Sequence, residues 1–171
     1  MKLQPTPEQK LLLHRTLRAA NAACTHTSQG AWETKTFRRF PLQQACSREL
    51  RQQFNLGAQM AIRVLAKVAD ASRLDRKTLR TFAGRGSIAF DQRNLSWNLD
   101  AGTVSLWTTS GRQRIPFVCG KRQAGLLATQ AGESDLVDRE GPFALYAGGE
   151  VEPRAPHPGT NFLGGDVGLK H

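Results

Sequence analysis

Cysteine and long apolar runs are scarce in this sequence. Its 171 residues include three cysteines, Cys24, Cys46 and Cys119, an odd number at wide spacing and without a close Cys-x-x-Cys pair. This pattern predicts reduced thiols in a cytoplasmic setting, and neither a disulfide framework nor a zinc site. No apolar run approaches the roughly 18 residues of a transmembrane helix, and the N-terminus lacks a secretion signal. We therefore expect a cytoplasmic protein with no membrane partner.

The sequence does not support serine, cysteine or paired-carboxylate catalysis. His14, His26 and His157 stand far apart, and no serine, cysteine or carboxylate lies at a spacing that suggests a triad with any of them. His171 is terminal. An isolated histidine is more often structural or solvated than catalytic, so we assign none of them to chemistry.

Negative charge is scarce in the first half of the chain. The sequence has 24 Lys and Arg against 14 Asp and Glu, which gives a net charge of +10 at pH 7. Residues 1–86 hold 16 of the cations and 5 of the acids, whereas residues 87–171 hold 8 and 9. An excess of this size favours an anionic partner in contact with the first half. The alternative is a solvated face, and a membrane surface fits poorly because the aromatic residues do not lie opposite a basic helix face.

Before residue 87, apolar residues recur every three to four positions, which is the spacing of a helix. Thr6-Pro7-Glu8-Gln9 has the cap, the proline and the capping-box glutamine that begin a helix. The sequence predicts helices from residue 7 to Gly30, from Pro41 to Gln53, and from Asn55 to Ser72. The intervening Ala31 to Pro41 is predicted to be a loop in which basic and aromatic residues alternate.

From Ser87 onwards the period changes to two. Alternating apolar residues predict half-buried strands at Ile88/Phe90, Leu95/Trp97/Leu99, Val104/Leu106, Ile115/Phe117, Leu136/Val137 and Phe143 to Tyr146. Gln123 to Ala131 predicts a short helix or turn. Five or six short strands with close turns are typical of a small antiparallel barrel. The proline-rich stretch from Glu152 to Gly159 predicts a stiff linker.

The candidate nucleic-acid-binding residues are basic and aromatic side chains of the helical part. Cationic groups bond phosphates, and rings stack on unpaired bases. These residues are Arg15, Arg18, Trp32, Lys35, Arg38, Arg39, Arg48, Arg51, Arg63, Lys67, Arg76, Lys77, Arg80 and Arg85. Arg63 and Lys67 form an i,i+4 basic pair on one helix. For Trp32 and Phe40, plugging the helical core is an equal alternative.

Phe162-Leu-Gly-Gly-Asp-Val-Gly-Leu-Lys170 places a single carboxylate, Asp166, among apolar residues and glycines. Such an aspartate in the middle of a strand would face a metal ion or a phosphate, since glycines allow close approach. The alternative is a glycine-rich turn with a solvated aspartate.

This segment resembles the opening motif of RuvC-type nuclease domains, which have an RNase H-like fold. More narrowly, it is similar to TnpB-type transposon-encoded RNA-guided nucleases and their relatives, the type V CRISPR effectors. The resemblance is carried by Gly164, Asp166, Gly168, Leu169 and Lys170, and also by Leu3 to Gln9 and Ile88 to Trp97.

The resemblance implies an α+β fold in which a helical recognition domain, residues 7–86, is inserted into a small antiparallel β-barrel. The barrel, called the wedge domain, would comprise residues 1–6 and 87–151. Residues 152–160 would be the linker, and residues 161–171 the first strand of an incomplete RuvC-like domain.

The resemblance also implies a function: the nucleic-acid-binding N-terminal part of an RNA-guided DNA endonuclease. Its partners would be guide RNA and double-stranded target DNA with a short flanking motif. Asn55 and Gln59 would contact bases, with a solvated helix surface as an equal alternative. Asp166 would be the first of three carboxylates that bind two Mg²⁺ ions, so this chain alone is expected to be inactive. The alternative is a free-standing basic RNA-binding module without catalytic activity.

Overall fold

The computed structural model describes residues 1–149. The predicted linker at 152–160, the predicted nuclease strand at 161–171 and Asp166 therefore lie outside the described residues. The elements in chain order are β1 (Lys2–Leu3), α1 (Pro7–Thr34), α2 (Arg39–Gln53), α3 (Ala58–Leu74), β2 (Ile88–Phe90), β3 (Leu95–Asn98), β4 (Thr103–Thr108), β5 (Gly111–Val118), α4 (Lys121–Ala128), β6 (Gln130–Asp138) and β7 (Phe143–Gly149). The fold class is α+β.

Helix α1 begins as predicted but ends later. The Thr6 hydroxyl accepts a hydrogen bond from the Gln9 backbone N–H at 3.2 Å, and the Gln9 side chain accepts one from the Thr6 N–H at 3.1 Å. The predicted end at Gly30 is wrong, because the helix continues to Thr34 and stops where Lys35 adopts a left-handed φ of 53°. Ala31 is buried on the same face as the earlier turns. Its packing outweighs the roughly 1 kcal/mol that glycine costs within a helix.

The bounds of α2 and α3 also differ from the predicted ones. Helix α2 begins at Arg39, two residues before the proline, which occupies the third helical position. Helix α3 begins at Ala58 and not at Asn55, because Asn55 has a left-handed φ of 50° that no α-helix contains. One face of α3 is fully buried, and it packs against both α1 and α2.

The strands form one seven-stranded antiparallel sheet in the order β2-β6-β7-β1-β5-β4-β3. This sheet is a nearly closed barrel, and its edge strands, β2 and β3, are consecutive in the chain. The short β1 lies between β5 and β7, where Leu3 pairs with Phe117 and Lys2 pairs with Ala144. Helices α1 to α3 therefore fall, in the chain, between β1 and the other six strands.

The predicted strands are confirmed except at Leu99, which lies beyond the end of β3 at Asn98 and is exposed. The alternation of apolar residues along the strands gives the barrel its interior. Phe90, Ile115, Leu136, Phe143 and Leu145 are fully buried, and together with the apolar faces of α1 and α3 they form one continuous core. Trp97 is half-buried and meets the buried Phe117 edge to face, with ring centroids 5.1 Å apart. Within residues 1–149, no helix is long and apolar enough to cross a membrane.

Candidate nucleic-acid interface

Most of the predicted basic residues are exposed and carry unpaired charge. Nine of them make no ion pair with any carboxylate of residues 1–149: Arg15, Arg18, Lys35, Arg38, Arg39, Arg48, Arg51, Arg76 and Lys77. They are distributed over α1, α2 and the segments that follow α1 and α3. Exposed guanidinium and ammonium groups in this number give the helical layer a surface that suits phosphates.

Arg63 differs from these nine because its charge is paired inside the protein. Its side chain is only 12% exposed; one guanidinium nitrogen lies 2.8 Å from a carboxylate oxygen of Asp91, and the other bonds Glu133. Asp91 follows β2 and Glu133 lies in β6, so this arginine fastens α3 to the sheet.

Lys67, one turn further along α3, is also engaged within the protein. Its ammonium donates to the side-chain oxygen of Asn21 at 2.9 Å and to the backbone oxygen of Ser87 at 2.6 Å, and it lies 5.3 Å from the ring centroid of Phe82. Burial lowers the pKa of Lys67. The predicted basic pair of Arg63 and Lys67 thus bonds two different parts of the protein.

Two more predicted cations have carboxylate partners. Arg80 lies 3.1 Å from Asp75, which immediately follows α3. Arg85 donates to Asp138 at 2.5 Å, and the buried carboxylate of Asp138 also lies 3.1 Å from Nδ1 of His14. The bond from Arg85 holds the pKa of Asp138 below its usual range. His14, for which the sequence suggests no partner, therefore belongs to a structural cluster.

Asn55 and Gln59 lie close together around the start of α3, Asn55 just before the helix and Gln59 in its first turn. Asn55 donates from its amide to the backbone oxygen of Thr109 at 2.9 Å, and Gln59 donates to Asp91. Both line a cavity of about 190 Å³ between the N-terminus of α3 and β4, which we call the α3 pocket. The exposed ring of Trp107 forms one of its walls.

The α3 pocket also contains polar groups without partners. Gly57 caps α3 without a side chain, so the first N–H groups of the helix have no side-chain acceptor. Asn94 is 2% exposed; its oxygen accepts from the Asp91 N–H at 2.7 Å, and its amide nitrogen has no partner among the described residues. Such groups favour an acceptor-rich ligand.

The aromatic residues near α2 have separate environments. Trp32 is half-buried near the end of α1, and the Lys35 ammonium lies 4.1 Å from the centroid of its ring. Phe40 is 78% exposed in the first turn of α2, so it does not plug the core. Phe37 is partly buried and packs against the core.

A second basic concavity lies beside Phe37. Arg38 and Arg39 at the start of α2 face Arg73 in the last turn of α3 and Arg76 just beyond it, around a cleft of about 440 Å³. We call this the arginine cleft. Arg73 is not in the predicted set, although its spacing of three from Arg76 continues the basic run.

Asp166, the metal ligand that the resemblance implies, lies outside residues 1–149. Among the described residues, no group of three His, Cys, Asp or Glu side chains is arranged to hold a metal ion. The three cysteines are free, and burial raises the pKa of the Cys24 thiol to about 12, which makes it unreactive. No protein-family model matches the chain, and no curated protein matches its sequence.

Proposed function

We propose that the chain is the guide-RNA- and target-DNA-binding part of an RNA-guided DNA endonuclease of the TnpB or type V effector kind. The observation that carries this proposal is the surface of nine exposed, unpaired cations on the helical layer, joined to a barrel of limited net charge. Phosphate contacts supply affinity without sequence preference, which suits a protein whose specificity comes from guide pairing.

The α3 pocket supports a role in reading a short motif that flanks the target. Base edges are recognised by amide groups, and bases stack on exposed aromatic rings. Gln59 uses its amide nitrogen on Asp91, which leaves its side-chain oxygen to accept from a base, and Trp107 offers a ring 46% exposed to solvent. The adjacent uncapped N-terminus of α3 suits the phosphate of the same nucleotide.

In this proposal, Asp166 contributes one of three carboxylates to a pair of Mg²⁺ ions in the complete nuclease. Carboxylate oxygens suit Mg²⁺, and the two metals would stabilise the attacking and leaving oxygens of the phosphodiester. One carboxylate cannot hold both ions, so cleavage would require the two further carboxylates that the resemblance implies.

The proposal is tested by the salt dependence of binding. We expect the chain to bind structured RNA and duplex DNA with a steep loss of affinity as salt rises. The variant Arg15→Gln, Arg18→Gln, Arg48→Gln, Arg51→Gln should flatten the slope of log K against log salt by up to about 3.6, since each lost duplex phosphate contact removes about 0.9. Fluorescence anisotropy at salt concentrations from about 50 to about 200 mM measures this slope.

The matched control removes the same charge from the barrel side. Arg112, Arg114, Lys121 and Arg122 are exposed cations of β5 and α4, and their replacement by glutamine should change the slope less. Equal slopes for the helical variant and the unmodified chain would refute contact through the helices. Tight binding of structured RNA with no binding of duplex DNA would instead favour the RNA-binding module.

A further inference from the structure

We propose that the arginine cleft binds an unpaired nucleic-acid strand, with successive phosphates on its guanidinium groups and a base on the aromatic residues at the start of α2. This inference rests on the proposed nucleic-acid function and narrows it, because it assigns to one concavity a single strand in place of a duplex. Four arginines border the cleft: Arg38, Arg39, Arg73 and Arg76.

The cleft holds more positive charge than the protein itself neutralises. Asp70 is the one carboxylate on its described wall, and its nearest contact with Arg73 is 3.7 Å, between side chains that are 71% and 77% exposed. An exposed pair at that distance contributes little. Four guanidinium groups that converge on one space repel each other, so binding of an anion there relieves an unfavourable field.

The backbone at the start of α2 adds to the same field. The N-cap residue is Arg38, which makes no side-chain capping bond, and the first turn contains no acidic residue. Helix N-termini carry a partial positive charge and are normally capped by Ser, Thr, Asp or Asn. Two arginines at this end place positive side chains beside the positive end of the helix, which is unfavourable. A phosphate that accepts hydrogen bonds from the first N–H groups of the helix would relieve this repulsion.

The shape and the aromatic residues favour an unpaired strand. The cleft is a concavity of about 440 Å³ with Phe37 in its wall, whereas a duplex presents its phosphates along a broad, stiff surface. Phe40 directly follows Arg39 and is 78% exposed; it does not line the cleft itself, so a base stacked on it would lie beside the cleft. A basic concavity next to an exposed ring is the arrangement by which proteins hold single strands, because phosphates bond the cations while bases stack.

The test compares two variants that lose the same charge. The cleft variant carries Arg38→Gln, Arg39→Gln, Arg73→Gln and Arg76→Gln, and the control variant carries Arg15→Gln, Arg18→Gln, Arg48→Gln and Arg51→Gln. Binding is measured by fluorescence anisotropy with oligo(dT), oligo(U) and a DNA hairpin of equal phosphate number. For the single strands, we expect the cleft variant to lose at least about 10-fold more affinity than the control variant loses. For the hairpin, we expect the two variants to lose about the same affinity.

A second variant tests stacking without changing the charge. Phe40→Ala should weaken oligo(dT) binding by roughly 5-fold to 150-fold, the range for one stacked base, and leave hairpin binding within about 2-fold. Because Phe40 is largely exposed, thermal unfolding should be unchanged, which shows that the variant is folded. A stronger loss with oligo(U) than with oligo(dT), or the reverse, identifies RNA or DNA as the strand that the cleft prefers.

The outcomes separate this inference from the proposed function. Equal loss of single-strand affinity in the cleft and control variants, while the unmodified chain binds all three probes, overturns the cleft and leaves the proposed function standing. Preferential loss of hairpin binding in the cleft variant overturns it as well, since the cleft would then hold a duplex. Failure of the unmodified chain to bind any probe overturns the proposed function itself.

Discussion

Replacing Lys67 by methionine should destabilise the protein, although a lysine on a basic helix would ordinarily be a surface residue. Its ammonium donates to Asn21 and Ser87 at 2.9 and 2.6 Å. Asn21 is fully buried, and its amide nitrogen donates to the backbone oxygens of Leu17 and Gly86 at 2.9 and 2.8 Å. These bonds join α1, α3 and the segment that leads into β2.

The size of the effect follows from two opposing contributions. Each hydrogen bond from a charged donor is worth about 1.5–3 kcal/mol. The ammonium loses hydration on burial, which is why its pKa is lowered, and this cost offsets part of the gain. Methionine keeps the apolar stem, so we expect Lys67→Met to lower the free energy of unfolding by about 2–3 kcal/mol and the Tm by about 4–12 °C.

Urea unfolding followed by circular dichroism measures this change. Lys35→Met is the matched control, because Lys35 is exposed and covers only the Trp32 ring, and it should stay within about 0.5 kcal/mol of the parent. Combined with Asn21→Leu, Lys67→Met should cost about 1 kcal/mol less than the sum of the two single changes. A Lys67→Met protein as stable as the parent would refute the inference that this lysine is structural.

Two further predictions concern glycines of the backbone and the dependence of stability on pH in acid. Gly30→Ala should raise the free energy of unfolding by about 0.5–1 kcal/mol, because the residue lies inside α1 with open space for a methyl group. Gly86→Ala should lower it by about 1 kcal/mol, because the new carbon would lie 3.0 Å from the Ala83 oxygen. Thermal melts in which Gly30→Ala destabilises, or in which Gly86→Ala stabilises, would contradict the corresponding prediction. Because the bond from Arg85 lowers the pKa of Asp138 on folding, this carboxylate stabilises the protein above about pH 4, and the stabilisation is lost as the pH falls through the lowered pKa. Asp138→Asn should therefore be less stable at pH 7, and its deficit should shrink as thermal melts are taken at pH values progressively below about 4.

Local patterns predict the parts of this fold that local interactions decide. The capping box at Thr6 and Gln9 is a contact between neighbours, and both of its bonds form. Apolar residues at every second position predict which side chains fill the barrel, because the faces of a strand alternate whatever its partner is. Ile115 and Phe117 are both buried, while Pro116 between them is exposed.

The errors lie where tertiary contacts override local preference. Gly30 is a common stop signal, yet α1 passes through it because Ala31 still has a core to pack against. Asn55 begins an apolar period but takes a left-handed conformation, which asparagine tolerates better than most residues. The end of α1 and the conformation of Asn55 both depend on contacts with distant parts of the chain, so a pattern read from neighbouring residues does not predict them.

The sequence predicts which residue types make up the candidate interface, but not which of these residues are free to contact a ligand. Sequence spacing places Arg63 and Lys67 together and predicts that both face a ligand, whereas the fold turns Arg63 towards Asp91 and Lys67 towards Asn21. These partners come from distant parts of the chain, and one-dimensional patterns do not encode them. The same holds for Arg73, which gains its place only when the end of α3 meets the start of α2.

The charge asymmetry of the two halves therefore has two physical components. Some basic residues of the first half are neutralised by acids of the second, as Arg63 is by Asp91 and Glu133, and Arg85 by Asp138. The Arg63 pairs hold α3 on the sheet, and the Arg85 pair holds the segment before β2 against β6. The positive charge of both arginines is thus neutralised within the protein. The cations left over are the exposed ones of α1 and α2 and those of the arginine cleft, for which residues 1–149 supply few carboxylates. Since like charges at this density disfavour the compact state, their accumulation on one layer is the feature that the polyanionic partner we propose would explain.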